Sequence, residues 1–208
     1  MTTVLFIKAN DRPSEQAVSV RMYETFLQAY KEKNPNDAIV ELDLFRMDLP
    51  YHGNAALSAA YKLGEGYELT IEERAWIDRI KRHQAQFIEA DKIVIAFPLW
   101  NMTVPAPLIT YVSYLTEAGV TFSFTEHGPV GLIGDKKAAL LNARGGDYSG
   151  GTAAASEMCL IFMKNTLAFW GIAEPLTVVI EGHQQYRDRS ATIIETGLAE
   201  TARLAAAF

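Results

Sequence analysis

Five short apolar runs rich in β-branched residues punctuate this chain, and between them the apolar positions fall at intervals of three and four. Residues 4–8 form the first run. Residues 39–45 alternate apolar with acidic side chains, the pattern of a strand nearer a sheet edge. Residues 92–97 (KIVIAF), 138–142 and 176–180 are more continuously apolar, as strands buried on both faces are. Val20, Tyr23, Phe26, Leu27 and Tyr30 share one helical face, and Trp76, Ile80, His83 and Phe87 share another. Thr70 followed by Glu73 is a capping-box pattern that opens the second of these helices. Pro105 suits a first helical position, with Leu108, Ile109, Val112 and Leu115 behind it. Further helices are predicted at about 152–170 and 189–206. Strand–helix alternation repeated five times predicts a doubly wound α/β fold.

At 208 residues the chain is of a size that one sheet with helices on both faces absorbs as a single domain, residues 1–208. Two connections are unusually long for such a fold, 48–69 and 119–137. Segments of that length tend to cover a site or a partner subunit. They carry Tyr51, Tyr61, Tyr67, Phe122, Phe124 and His127, an aromatic complement suited to either duty or to the domain's own core.

Charge and composition narrow the function. The net charge of −6 and the absence of a Lys/Arg cluster argue against a nucleic-acid partner. No apolar run approaches the ~20 residues of a membrane helix, and the N-terminus lacks a signal-peptide layout. One cysteine rules out an intrachain disulfide, so a cytoplasmic location is expected. That residue, Cys159, reads as a buried, inert thiol. His, Cys, Asp and Glu show no zinc spacing.

Ligands of open parallel sheets bind beyond the carboxyl ends of the strands, where strand order reverses. For an order 2-1-3-4-5 that point gathers residues 10–19, 97–102 and 142–146. The first stretch leads into a helix whose free amides and dipole form a phosphate seat, though a plain helix start would read the same. No G-x-G-x-x-G or Walker loop is present, which sets aside Rossmann and NTPase sites. The second, Phe97-Pro98-Leu99-Trp100-Asn101-Met102, is a stiffened turn with an aromatic, suited to a flat ring or to a core tryptophan. The third places Gly145 and Gly146 after a buried strand, where backbone can approach a ligand closely or simply turn. His183, in Glu181-Gly182-His183, follows the fifth strand toward the same end of the sheet.

Taken together, K-A-N at 8–10, F-P-L-W-N-M at 97–102, G-P-V-G-L-I-G-D-K-K at 128–137, N-A-R-G-G at 142–146 and E-G-H at 181–183 resemble the FMN-dependent NADH azoreductases, within the flavodoxin-like NAD(P)H:quinone reductases. The resemblance runs over nearly the whole chain and implies a flavodoxin-like, five-stranded parallel sheet. It implies FMN held at its phosphate by Asn10, Ala17, Val18 and Ser19. The ring would be lined by Pro98, Leu99, Trp100, Asn101 and Met102, and its pyrimidine side served by Asn142, Ala143, Arg144, Gly145, Gly146 and Tyr148. The implied activity is two-electron, ping-pong transfer from NADH or NADPH to quinones or azo compounds, in a homodimer with FMN near the subunit boundary. The chain departs from the family's serine-rich phosphate loop, having Gln16-Ala17-Val18-Ser19 there, so backbone amides must carry more of the phosphate. Two other readings compete: a flavodoxin-type electron carrier, and a regulatory α/β domain without cofactor.

Overall fold

The computed structural model describes residues 1–208. In chain order the elements are β1 (Thr3–Lys8), α1 (Val18–Lys33), β2 (Ala38–Asp43), α2 (Asn54–Gly64), α3 (Ile71–Glu89), β3 (Lys92–Pro98) and α4 (Ala106–Leu115). They continue with β4 (Phe122–Thr125), β5 (Gly128–Gly131), β6 (Lys137–Arg144), α5 (Cys159–Phe169), β7 (Leu176–Glu181) and α6 (Ser190–Ala207). Five strands form one parallel sheet in the order β2-β1-β3-β6-β7. This is the predicted 2-1-3-4-5 order, because β4 and β5 pair only with each other, as an antiparallel hairpin. No helix is long and apolar enough to cross a membrane.

Alternation along the strands builds two cores. Leu5, Ile7, Ile93, Ile95 and Leu140 face α3, α4 and α5, while Val4, Phe6, Val94, Leu141 and Ile180 face α1 and α6. At the start of α3 the capping box forms as its sequence requires: Glu73 N donates to Thr70 Oγ1, and Thr70 N donates to Glu73 Oε2.

Several expectations need correction. The 152–170 helix is broken: a 3-10 turn spans Gly151–Ser156, and α5 begins only at Cys159. The cause is local. Glu157 turns inward to an ion pair, its Oε1 accepts from Leu160 N at 2.9 Å, and Met158 N donates to Met102 O at 3.1 Å. Pro105 is the residue before α4, not its first turn, and Ile109 is exposed. The 48–69 connection contains α2, and 119–137 contains the β4–β5 hairpin. Within the hairpin, a Cβ on Gly131 would overlap the backbone of Trp170 and Gly171, and Gly171 itself sits at φ +107°. The G-P-V-G-L-I-G motif is thus a backbone-to-backbone packing device.

His52, His83 and His183 are each held below the usual imidazole range, first of all by burial. Arg82 and Arg79 add to the effect at His83, whose ring stacks on Tyr114 at 5.8 Å with Nδ1 buried and unpartnered. A neutral ring in the fold and an ordinary one in the unfolded chain mean the unfolded state takes up more protons on acidification. Stability is therefore fully present above pH 6.5, the ordinary imidazole value, and is lost as pH falls below it. The melting temperature is expected to drop between pH 7.5 and pH 5.5, and less steeply in His83→Gln. Equal slopes in the two proteins would show that His83 contributes nothing to this linkage.

Candidate functional site

The site is assembled where β1, β3 and β6 end. Beyond β1, Asn10 is buried and donates from Nδ2 to Ser19 Oγ at 2.9 Å, while its Oδ1 accepts from Arg12 N at 3.0 Å. A 3-10 turn at Ser14–Gln16 then delivers Ala17 to the N-cap position of α1. Alanine has no side-chain acceptor, and no other side chain caps this helix. The amides of its first turn, at Val18 and Ser19, are left for something else. Arg12 Nη2 donates to Gln16 Oε1 at 3.3 Å beside them.

At the end of β3, Leu99 N donates to Ala143 O at 2.9 Å and ties this loop to β6. Trp100 and Thr103 then exchange both backbone hydrogen bonds, at 3.0 and 3.1 Å, around a two-residue turn. Its central residues, Asn101 and Met102, lie at φ 49° and 68°. Side-chain-bearing residues in this left-handed region store strain of about 1 kcal/mol or more each. The turn aims Trp100 back toward Phe45, ring centroids 6.1 Å apart.

At the end of β6, Asn142 is fully buried. Its Nδ2 donates to Phe97 O at 3.2 Å, and its Oδ1 has no partner. Arg144, also buried, lies between two carboxylates, with Nη1 3.3 Å from Glu157 and Nε 3.0 Å from Glu181. The distances are those of ion pairs, without the alignment of hydrogen bonds. Glu181 also accepts from Tyr148 N at 2.9 Å, and the Arg144 guanidinium lies 5.7 Å from the centre of the Tyr148 ring. Gly145 O accepts from Gln184 N and Gln185 N, closing the β6 loop onto the β7 loop. A Cβ on Gly145 would overlap the end of the Gln184 side chain, so the bare backbone at 145 leaves that side chain its present place. Cys159 is fully buried as expected, its thiol pushed up to about 12 by burial and by the hydrogen bond it donates to Glu157.

Between these loops lies a cavity of about 280 Å³. Of the residues singled out in the sequence, Asn10, Ala17, Val18, Ser19, Pro98, Leu99, Trp100, Ala143 and Gly145 line it. Asn101, Met102, Asn142, Arg144, Gly146 and Tyr148 do not; they shape or brace the loops that do. Arg12, Gln16, His183 and Gln184 line it as well. Arg12 and Gln16 stand inside the stretch read as a phosphate seat, where a cation was the available signal. Gln184 carried no signal, since its place depends on how two loops meet. Neither long connection reaches this wall.

The cavity is therefore two-ended. One end offers uncapped helix amides, a hydroxyl and a guanidinium, which suit a phosphate. The other offers Pro98, Leu99, Trp100 and Ala143, which suit a flat apolar ring. No group of three His, Cys, Asp or Glu side chains is arranged to hold a metal.

Comparison with known proteins agrees with this geometry. Residues 2–204 match the family described as having a flavodoxin-like fold. The chain is 58% identical to the FMN-dependent NADH:quinone oxidoreductase 1 of Bacillus cereus and 55% identical to that of Bacillus subtilis, each over the full length of both chains. An azoreductase crystal structure from Bacillus anthracis superposes with a TM-score of 0.97 at 53% identity, covering all of both chains. An FMN-dependent NADH-azoreductase from the same species, solved in complex with FMN, superposes at 0.87 with 28% identity, covering 99% of this chain and all of that one. A strand order, a two-ended cavity and full-length identity above one half all lead to one placement: this chain belongs to the flavodoxin-like-fold family, on the branch of the NADH:quinone oxidoreductases and azoreductases.

Proposed function

We propose that this protein is an FMN-dependent NADH oxidoreductase that reduces quinones and cleaves azo compounds to amines. The observation that carries the reading is the cavity at the ends of β1, β3 and β6, with phosphate chemistry at one end and an apolar wall at the other. The chemistry that FMN supplies when bound is two-electron transfer, hydride in from NADH and two electrons out to the acceptor, in a ping-pong cycle. Reduction of a quinone to a hydroquinone consumes one NADH and one proton. Cleavage of an azo bond to two amines consumes two of each.

The chain's own residues bind, orient and exclude water. The amides of Val18 and Ser19, at the positive end of the α1 dipole, hold the phosphate. Asn10 donates to Ser19 Oγ, which leaves the hydroxyl proton free to reach a phosphate oxygen. Pro98, Leu99 and Trp100 wall the ring on the β3 side, Ala143 and Gly145 on the β6 side. Asn101 and Met102 hold Trp100 in place through their strained turn, and Asn142, Arg144, Gly146 and Tyr148 support the β6 loop. His183 is the one titratable wall residue near neutrality, and burial keeps it neutral.

A homodimer in the cytoplasm is part of the same reading. Tyr51, Tyr61, Tyr67 and Phe124 stand exposed on the two long connections, whereas Phe122 is buried in its own domain. Aromatic surface of this extent is what a partner subunit covers.

The test is an absorbance spectrum before and after anaerobic NADH. Flavin bands that bleach with NADH and return on adding a quinone or an azo dye are expected. A protein that neither carries nor takes up FMN would end this reading and favour a cofactor-free domain.

A further inference from the structure

The cavity wall carries a single formal charge. Arg12 is the only Lys, Arg, Asp or Glu among its residues, and the one other titratable group, His183, is neutral. This stands out in a chain with a net charge of −6, whose field repels an anionic ligand. The acids beside Arg12 in sequence, Asp11 and Glu15, lie off the wall and exposed to solvent. Arg12 forms its side-chain hydrogen bond with the neutral amide of Gln16, leaving its charge uncompensated. Its own backbone is pinned too, Arg12 N donating to Asn10 Oδ1 at 3.0 Å. One buried asparagine therefore ties together Arg12 and Ser19, on the two sides of the uncapped start of α1.

We propose that Arg12 is a specificity-determining residue that selects a phosphorylated flavin over its unphosphorylated form, with Gln16 holding its guanidinium toward the phosphate. The inference rests on the FMN reading above and deepens it. Amides and one hydroxyl can orient a phosphate, but a dianion entering a negatively charged protein gains most from a full positive charge that no carboxylate already neutralises. The Gln16 amide suits a holding role because it fixes the guanidinium without cancelling it. Since Arg12 is solvent-exposed, its contribution is screened by salt.

The experiment titrates full-length apoprotein with FMN and separately with riboflavin, following quenching of flavin fluorescence at low and high salt. It compares wild type, Arg12→Ala, Arg12→Lys and Gln16→Ala, with circular dichroism to establish that each is folded. Arg12→Ala is expected to raise the Kd for FMN roughly tenfold, the scale of one charge-assisted contact, and to leave riboflavin unchanged. Arg12→Lys should recover much of the loss, Gln16→Ala should show a smaller loss of the same selectivity, and Arg12→Ala should flatten the salt dependence of FMN binding. An FMN affinity within twofold of wild type in Arg12→Ala, or an equal loss for both flavins, would overturn the proposal. Wild-type protein that binds neither flavin would overturn the functional reading, and this inference with it.

Discussion

Arg144→Ala is expected to destabilise the fold by roughly 3–5 kcal/mol, the cost of removing one partner from a buried ion pair. For a chain of this size that is a fall in melting temperature of roughly 6–20 °C. The guanidinium is buried between Glu157 and Glu181, and each carboxylate has a further structural task. Glu157 accepts from Leu160 N at the start of α5, and Glu181 accepts from Tyr148 N beyond β6. Without the cation, two negative charges face each other in a poorly solvated space and both tasks are put at risk. Replacing all three groups by neutral ones, as Arg144→Met with Glu157→Gln and Glu181→Gln, should recover much of the loss, because no charge is then left buried and unpaired. Thermal unfolding of the two variants decides the matter. A single Arg144→Ala protein as stable as wild type would mean that the carboxylates reach solvent by a small rearrangement.

Trp170→Ala should cost as much, roughly 3–5 kcal/mol, by opening a large cavity in the core. Trp170 is almost wholly buried, its ring set edge-on to Phe87 at 5.5 Å, and its carbonyl accepts from Ile133 N at 3.0 Å. The indole thus holds the end of α5 against α3, and the backbone beside it receives the hairpin at Gly131. Its Nε1 has no hydrogen-bond partner. Trp170→Phe removes that unpaired donor while keeping most of the ring, so its loss should be much smaller than that of alanine. Equal denaturation midpoints for the phenylalanine and alanine variants would show that the cavity argument is wrong here.

Much of this architecture was legible along the chain. Dense apolar runs at 92–97 and 138–142 announce central strands, and the alternating 39–45 run lies at the sheet edge, in β2. The 176–180 run, read like the first two, is instead the other edge strand, β7, with only Val178 and Ile180 buried. The Thr70–Glu73 cap can be read from four residues because its hydrogen bonds are local. That three loops border one cavity was legible for a related reason. In a parallel sheet the carboxyl ends converge, so strand assignment alone brings residues 10–19, 97–102 and 142–146 together.

Other features depended on contacts that sequence spacing does not carry. The 152–170 run has helical composition throughout, but an ion pair from Glu157 to Arg144 and a backbone bond from Met158 to Met102 break it. Gln184 reaches the cavity because the β7 loop is hydrogen-bonded to Gly145 O, and Arg12 stands there because Asn10 and Gln16 hold it. Local periodicity and turn chemistry, set by neighbours a few residues away, determined the five strands of the main sheet, most of the helices between them and so the end of the sheet where the cavity lies. Which side chains face the cavity, which brace it from behind, and which charge is left unpaired were decided only when distant segments packed, because burial and pairing are properties of the space between elements.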